Sequence, residues 1–136
     1  MPRISKVLPA AALSCAAVLL SGCATPCLDT VEPGRYVLTK GVPTPLSPSA
    51  SLTLTEVEDS RCPAGVQCVW AGRLAYVLSL QSCAKSETFK LTQDAGAHIG
   101  QRVPARVSLA PGKPPPPRSA GLVSPVTTVE VDIAAY

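Results

Sequence analysis

Apolar and polar residues alternate with a period of two along this chain, and that pattern limits its fold more than any other feature. It is clearest over residues 126–135. There Val129, Val131, Ile133 and Ala135 fall on one side of an extended segment, and Thr128, Glu130 and Asp132 on the other. Successive side chains of a strand point to opposite faces, so this run predicts a half-buried strand. Residues 35–40 and 50–58 read the same way. Within 69–80, Leu74, Tyr76, Leu78 and Leu80 share a face; within 86–91, Phe89 and Leu91 do; 106–109 is short. Residues 41–49, with prolines at 43, 45 and 48, read as a loop. No segment after residue 23 carries the 3.6-residue spacing of an amphipathic helix. The expected fold is all-β, a small antiparallel sandwich or barrel of about seven strands.

The first residues do not belong to that domain. Arg3 and Lys6 precede an almost wholly apolar run over 7–20, then small residues. A basic start, a short apolar stretch and a small-residue cleavage site define a secretory signal. The run is shorter than the ~20 residues of a membrane span. Its end, Leu20-Ser21-Gly22-Cys23, resembles the bacterial lipobox. That resemblance implies diacylglycerol on the Cys23 thiol, cleavage just before it and acylation of the new amino group. Several acyl chains hold where one is marginal. Cys15 lies within the apolar run and leaves with it. Ala24 follows the lipid site, which in a Gram-negative cell resembles the signal for the outer membrane, with the domain facing the periplasm. The expected division is therefore a signal peptide over 1–22, a lipidated tether over 23–26 and a β-rich domain over 27–136.

Without the signal, the chain is close to neutral and has no run of like charge. A nucleic-acid partner is not expected. The expected partners are the membrane, through the lipid, and an envelope protein. Aromatics are Trp70, Phe89 and three tyrosines, so Val, Leu and Ala must form the core. A core of that kind is thin, and cross-links help it. Cys27, Cys62, Cys68 and Cys83 remain, and four thiols in an oxidising compartment read as two disulfides. Three pairings are open. Cys62–Cys68 is favoured because Pro63-Ala64-Gly65-Val66-Gln67 between them suits a tight turn. Cys27–Cys83 follows by default. Zinc is the competing reading, but there is no C-x-x-C pair and only one histidine. If Cys27 is bonded to the domain, only Ala24, Thr25 and Pro26 separate it from the lipid. The domain then sits within about 15 Å of the bilayer.

Residues 59–72 read Asp59-Ser60-Arg61-Cys62-Pro63-Ala64-Gly65-Val66-Gln67-Cys68-Val69-Trp70-Ala71-Gly72. This resembles a D-S-R-C-P-x4-C-x-W-x-G motif of small bacterial secreted proteins and lipoproteins. The resemblance implies a β-rich domain and supports the Cys62–Cys68 pairing, without implying an activity. On physical grounds Trp70 reads as a core residue packed beside the disulfide. Arg61 reads as a surface partner of Asp59 or Glu58, of small energetic weight. The loop residues Pro63, Ala64, Gly65, Val66 and Gln67 are also a candidate partner contact, because a braced loop binds at low entropic cost.

Catalytic signatures are missing from the sequence. His98 lies in a Gly/Ala-rich stretch and reads as a solvated loop side chain. Glu56, Glu58 and Asp59 are the only acidic cluster and read as a solvent-facing strand edge. The four consecutive prolines 114–117 force extended geometry. They read as a stiff surface loop between the last two strands, the alternative being a ligand for a proline-recognising partner. No cofactor or metal is expected. The expected function is non-enzymatic, a membrane-anchored domain for binding or envelope support. An inhibitor or interaction module using the 62–68 loop is the alternative, and a hydrolase a distant third.

Overall fold

The computed structural model describes residues 27–122 and 126–135. The expected signal peptide, Cys23 and the tether lie outside these residues. Eight strands follow in order: β1 (Gly34–Thr39), β2 (Pro43–Ser47), β3 (Ala50–Asp59), β4 (Leu74–Ser82), β5 (Lys85–Thr92), β6 (His98–Ile99), β7 (Ala105–Leu109) and β8 (Thr128–Ala135). They form two four-stranded sheets, β1-β8-β7-β6 and β2-β3-β4-β5. Every strand pair within them is antiparallel. The fold is thus an all-β sandwich held by two disulfides, Cys27–Cys83 and Cys62–Cys68.

The alternating residues face inward as expected. Leu74, Tyr76, Leu78 and Leu80 of β4 are buried, as are Phe89 and Leu91 of β5 and Val129, Val131 and Ile133 of β8. Ala135 is exposed at the end of its strand. In β3 the inward residues Leu52 and Leu54 are followed by Val57, three positions on. An irregularity between Leu54 and Glu56 absorbs the extra residue. Thr55 turns its hydroxyl onto the Val77 carbonyl at 3.0 Å. The bulge keeps Val57 against the core and Glu58 outside, where a simple alternation would reverse them.

Three segments differ from the sequence reading. Residues 41–49 contain β2, which carries Pro43 and Pro45. An edge strand tolerates prolines whose missing N–H would face away from its neighbour, and a spacing of two keeps both on one side. The 69–80 run starts its strand only at Leu74. The two-residue β6 had no signal of its own, being too short to show a period.

Both ends of the β3–β4–β5 meander are fixed covalently. At one end, Cys27 bonds Cys83 in the tight β4–β5 turn, with Cα atoms 5.9 Å apart. Ser49 donates to the Leu28 carbonyl at 2.6 Å, and Asp29 accepts from Ser82 at 3.0 Å and pairs with Lys85. The other end, beyond Asp59 and Leu74, carries the motif. The eight steps of ~3.3 Å along the nine residues of β4 separate the two ends by about 26 Å.

The Asp29 carboxylate is held below its ordinary pKa, first by the hydrogen bond from Lys85. Asp132 is held below its own by the hydrogen bond from Arg35. Depressed carboxylates stabilise the fold above the unfolded pKa of ~3.9, and that contribution is lost as pH falls through the folded value. The denaturation midpoint is therefore expected to fall below about pH 4. Lys85→Ala with Arg35→Ala should flatten that acid limb in urea titrations at several pH values; an unchanged limb would remove these pairs from the account.

Candidate interaction site at the disulfide-braced loop

The motif prolongs the β3–β4 hairpin past its last sheet pair, Asp59 with Leu74. The Ser60 N–H donates to the Arg73 carbonyl at 2.9 Å, and the Cys62 N–H to the Ala71 carbonyl at 3.0 Å. The Ser60 hydroxyl accepts from the Arg73 N–H at 3.0 Å. Between these bonds sits Gly72, with φ of 66°. A Cβ there would lie 1.9 Å from the Ser60 carbonyl oxygen. Glycine is required both for the backbone turn and for the close approach. The Cys62–Cys68 disulfide then closes the tip, its Cα atoms 5.8 Å apart.

Asp59 and Arg61 tie this loop to the proline run. The Arg61 guanidinium meets Asp59 bidentately, Nε to Oδ1 at 2.9 Å and Nη2 to Oδ2 at 2.8 Å. Its Nη1 donates to the Pro115 carbonyl at 2.6 Å. The Ala64 N–H also donates to the Arg118 carbonyl at 3.0 Å. Prolines offer carbonyls and no N–H, so a proline run suits a side chain that only donates. The surface reading of this pair is therefore wrong, since the Asp59 side chain is 1% exposed and that of Arg61 16%. The hydrogen bond to Asp59 raises the guanidinium pKa further. The proline run itself is the expected stiff connection between β7 and β8, here stapled to the motif.

Removing one partner of a desolvated pair leaves the other buried without its counter-charge. Arg61→Ala is expected to cost about 2–3 kcal/mol, toward the low end for such pairs because the guanidinium is partly solvated. Arg61→Lys should recover only part of this, since an ammonium cannot reproduce the planar fork. Urea denaturation gives the loss, and faster proteolysis within 110–122 gives the release of the proline run. A change below about 0.5 kcal/mol would class the pair with ordinary surface pairs.

Trp70 is not in the core. It is 81% exposed, with Val69 at 91% and Val66 at 45%. The sequence reading failed because the strand starts at Leu74, leaving 69–73 on the loop's outward return. Trp70→Ala is accordingly expected to change stability by no more than about 0.5 kcal/mol, where a core tryptophan would cost about 3–5. The same urea titration decides between the two. Within Pro63 to Gln67 only Val66 is a large exposed apolar side chain, and the candidate contact loop thus extends to Val69 and Trp70. The missed signal was Gly72, whose positive φ marks the end of the loop.

The other candidates lie elsewhere. His98 is on β6, its ring stacked on Phe89 with centroids 3.8 Å apart, and its Nε2 lies 3.4 Å from Glu87. It is a partly covered packing residue and not a solvated loop histidine. The Glu87 carboxylate also accepts the backbone N–H groups of Gln101 and Arg102, at 3.0 and 3.1 Å. It is engaged in holding the chain that follows β6. The acidic cluster divides: Glu58 pairs with Lys90, Asp59 with Arg61, and Glu56 stays exposed. Among the described residues, no group of three or more His, Cys, Asp or Glu side chains is placed to hold a metal. Compared with known proteins, the chain matches no family model, no curated protein and no solved structure.

Proposed function

We propose that this chain is a lipid-anchored envelope domain, held at Cys23, that presents its disulfide-braced loop to a partner on the side away from the bilayer. One observation carries the reading. The exposed Trp70 and the Cys27–Cys83 bond occupy opposite ends of the sandwich. A tether of three residues leaves the domain beside Cys27, so the bilayer meets that end. The motif loop then stands about 26 Å further out. An exposed indole on a backbone already fixed by a disulfide, a hairpin ladder and the proline staple loses little entropy on binding. Tryptophan is also enriched among residues that dominate interfaces. The chemistry proposed is recognition rather than turnover, because the Glu87 carboxylate beside His98 is already committed to backbone N–H groups.

The test has two parts. Mass spectrometry of the native protein should find diacylglycerol on Cys23 and no residues before it; an unmodified Cys23 overturns the anchor. A photo-crosslinking amino acid placed at position 70 in living cells should yield a discrete adduct, and one at Thr88, exposed on β5, should not. No adduct at 70, or the same adducts at both positions, overturns the display reading.

A further inference from the structure

The residues around the loop say what kind of partner it fits, given the display reading above. Charge is unevenly divided in this domain. Segments 59–73 and 110–122 hold four cations, Arg61, Arg73, Lys113 and Arg118, and one carboxylate, Asp59. Asp59 is taken by Arg61. The other described residues hold eight carboxylates and six Lys or Arg. Thus the two loop segments are basic and the rest of the described residues slightly acidic. Arg73 and Lys113 are exposed. Neither makes a salt bridge among the described residues, whereas Arg35, Lys85 and Lys90 each have one. Glu130 lines a cleft with Lys113 but does not come within bonding reach of it. The Arg118 Nε is buried without a hydrogen-bond partner. Exposed Val66, Val69 and Trp70 lie on the same loop, and exposed Leu122 closes the proline segment.

We infer that the loop docks into a protein partner whose site has an apolar centre, taking Trp70 and Val69, and a rim of carboxylates facing Arg73 and Lys113. Aromatic and arginine side chains with few aliphatic neighbours match the composition of protein interfaces. A lipid surface is disfavoured by geometry, because the loop is at the end remote from the anchor and its apolar side chains are few. Rim charges act mainly on the rate of encounter, which falls with salt. The apolar centre sets how long the complex lasts.

The experiment uses the full-length acylated protein in isolated envelopes, with the photo-crosslinker at position 70 as the probe. The adduct is expected to contain a second protein. Its yield at short exposure should fall about tenfold or more in Arg73→Glu with Lys113→Glu. It should fall similarly in wild-type background when salt rises from about 0.05 to 0.3 M. The same charge change made elsewhere, Lys40→Glu with Arg106→Glu, should leave the yield unchanged. Circular dichroism establishes that each variant is folded. An adduct to lipid or glycan, or a yield indifferent to charge and salt, overturns this inference and leaves the display reading standing. No adduct at all overturns both.

Discussion

Gly72→Ala is expected to lose about 4 kcal/mol or more, enough to unfold a domain of ordinary stability at 37 °C. Two costs add. The residue sits at φ 66°, where a Cβ is disfavoured by about 1–2 kcal/mol. The new carbon would also lie 1.9 Å from the Ser60 carbonyl and 2.5 Å from its carbon, both backbone atoms that cannot swing aside. Relief requires breaking the ladder between Ser60 and Arg73, which would dislodge Asp59 and Arg61 with it. Gly65→Ala is the matched control. Gly65 has φ 80°, but nothing lies within 4 Å of its Cβ position. It should cost about 1 kcal/mol, the backbone share alone. Urea titrations of the two variants separate sterics from conformation. Equal losses would show that the close approach at Gly72 has no energetic weight.

Removing the two disulfides is expected to give unequal losses. Cross-links stabilise mainly by restricting the unfolded chain, and the effect grows with loop length. Cys27–Cys83 spans 56 residues and Cys62–Cys68 only 6. Cys27→Ser with Cys83→Ser should therefore cost about 4 kcal/mol, and Cys62→Ser with Cys68→Ser about 2. Cys83 has a further signature, a φ of 53°, rare for a residue other than glycine. Replacing it by glycine instead of serine should return about 1 kcal/mol of the loss. Thermal and urea unfolding of the paired variants test the ranking. If the short loop costs more, its bond acts through the folded state, by holding the tip on the proline run.

The legible parts of this fold were those with a local signature. β8 shows its buried face in the bare sequence because Thr128 to Ile133 alternate strictly, and β4 because Leu74, Tyr76, Leu78 and Leu80 recur at a spacing of two. The pairing at 62–68 was legible because a turn-forming pentapeptide lies between the cysteines. Four features were not. β2 was hidden by Pro43 and Pro45, since their tolerance depends on being at a sheet edge, which is a property of topology. Trp70 was misplaced because burial follows from where the strand begins, and Gly72 as a required contact depends on a carbonyl twelve residues earlier in the chain. The Asp59–Arg61 pair reads as a surface contact until its lid, Pro115 and Pro116, is brought over it from 54 and 55 residues away. Of the bracing of the candidate site, the short disulfide was thus legible in local sequence, and the proline staple came from long-range packing.

The Cys27–Cys83 bond also fixes a path for mechanical load. A pull on the chain ahead of residue 27 enters the sandwich at the β4–β5 hairpin, whose strands are paired over eight registered positions. β1, the next strand in sequence, is an edge strand and is shielded from that pull by the covalent shortcut. With the bond reduced, the same tension would run along residues 28–33 and tug β1 from β8. Oxidation therefore decides whether strain is borne by the β4–β5 hairpin or by the outermost strand of the opposite sheet.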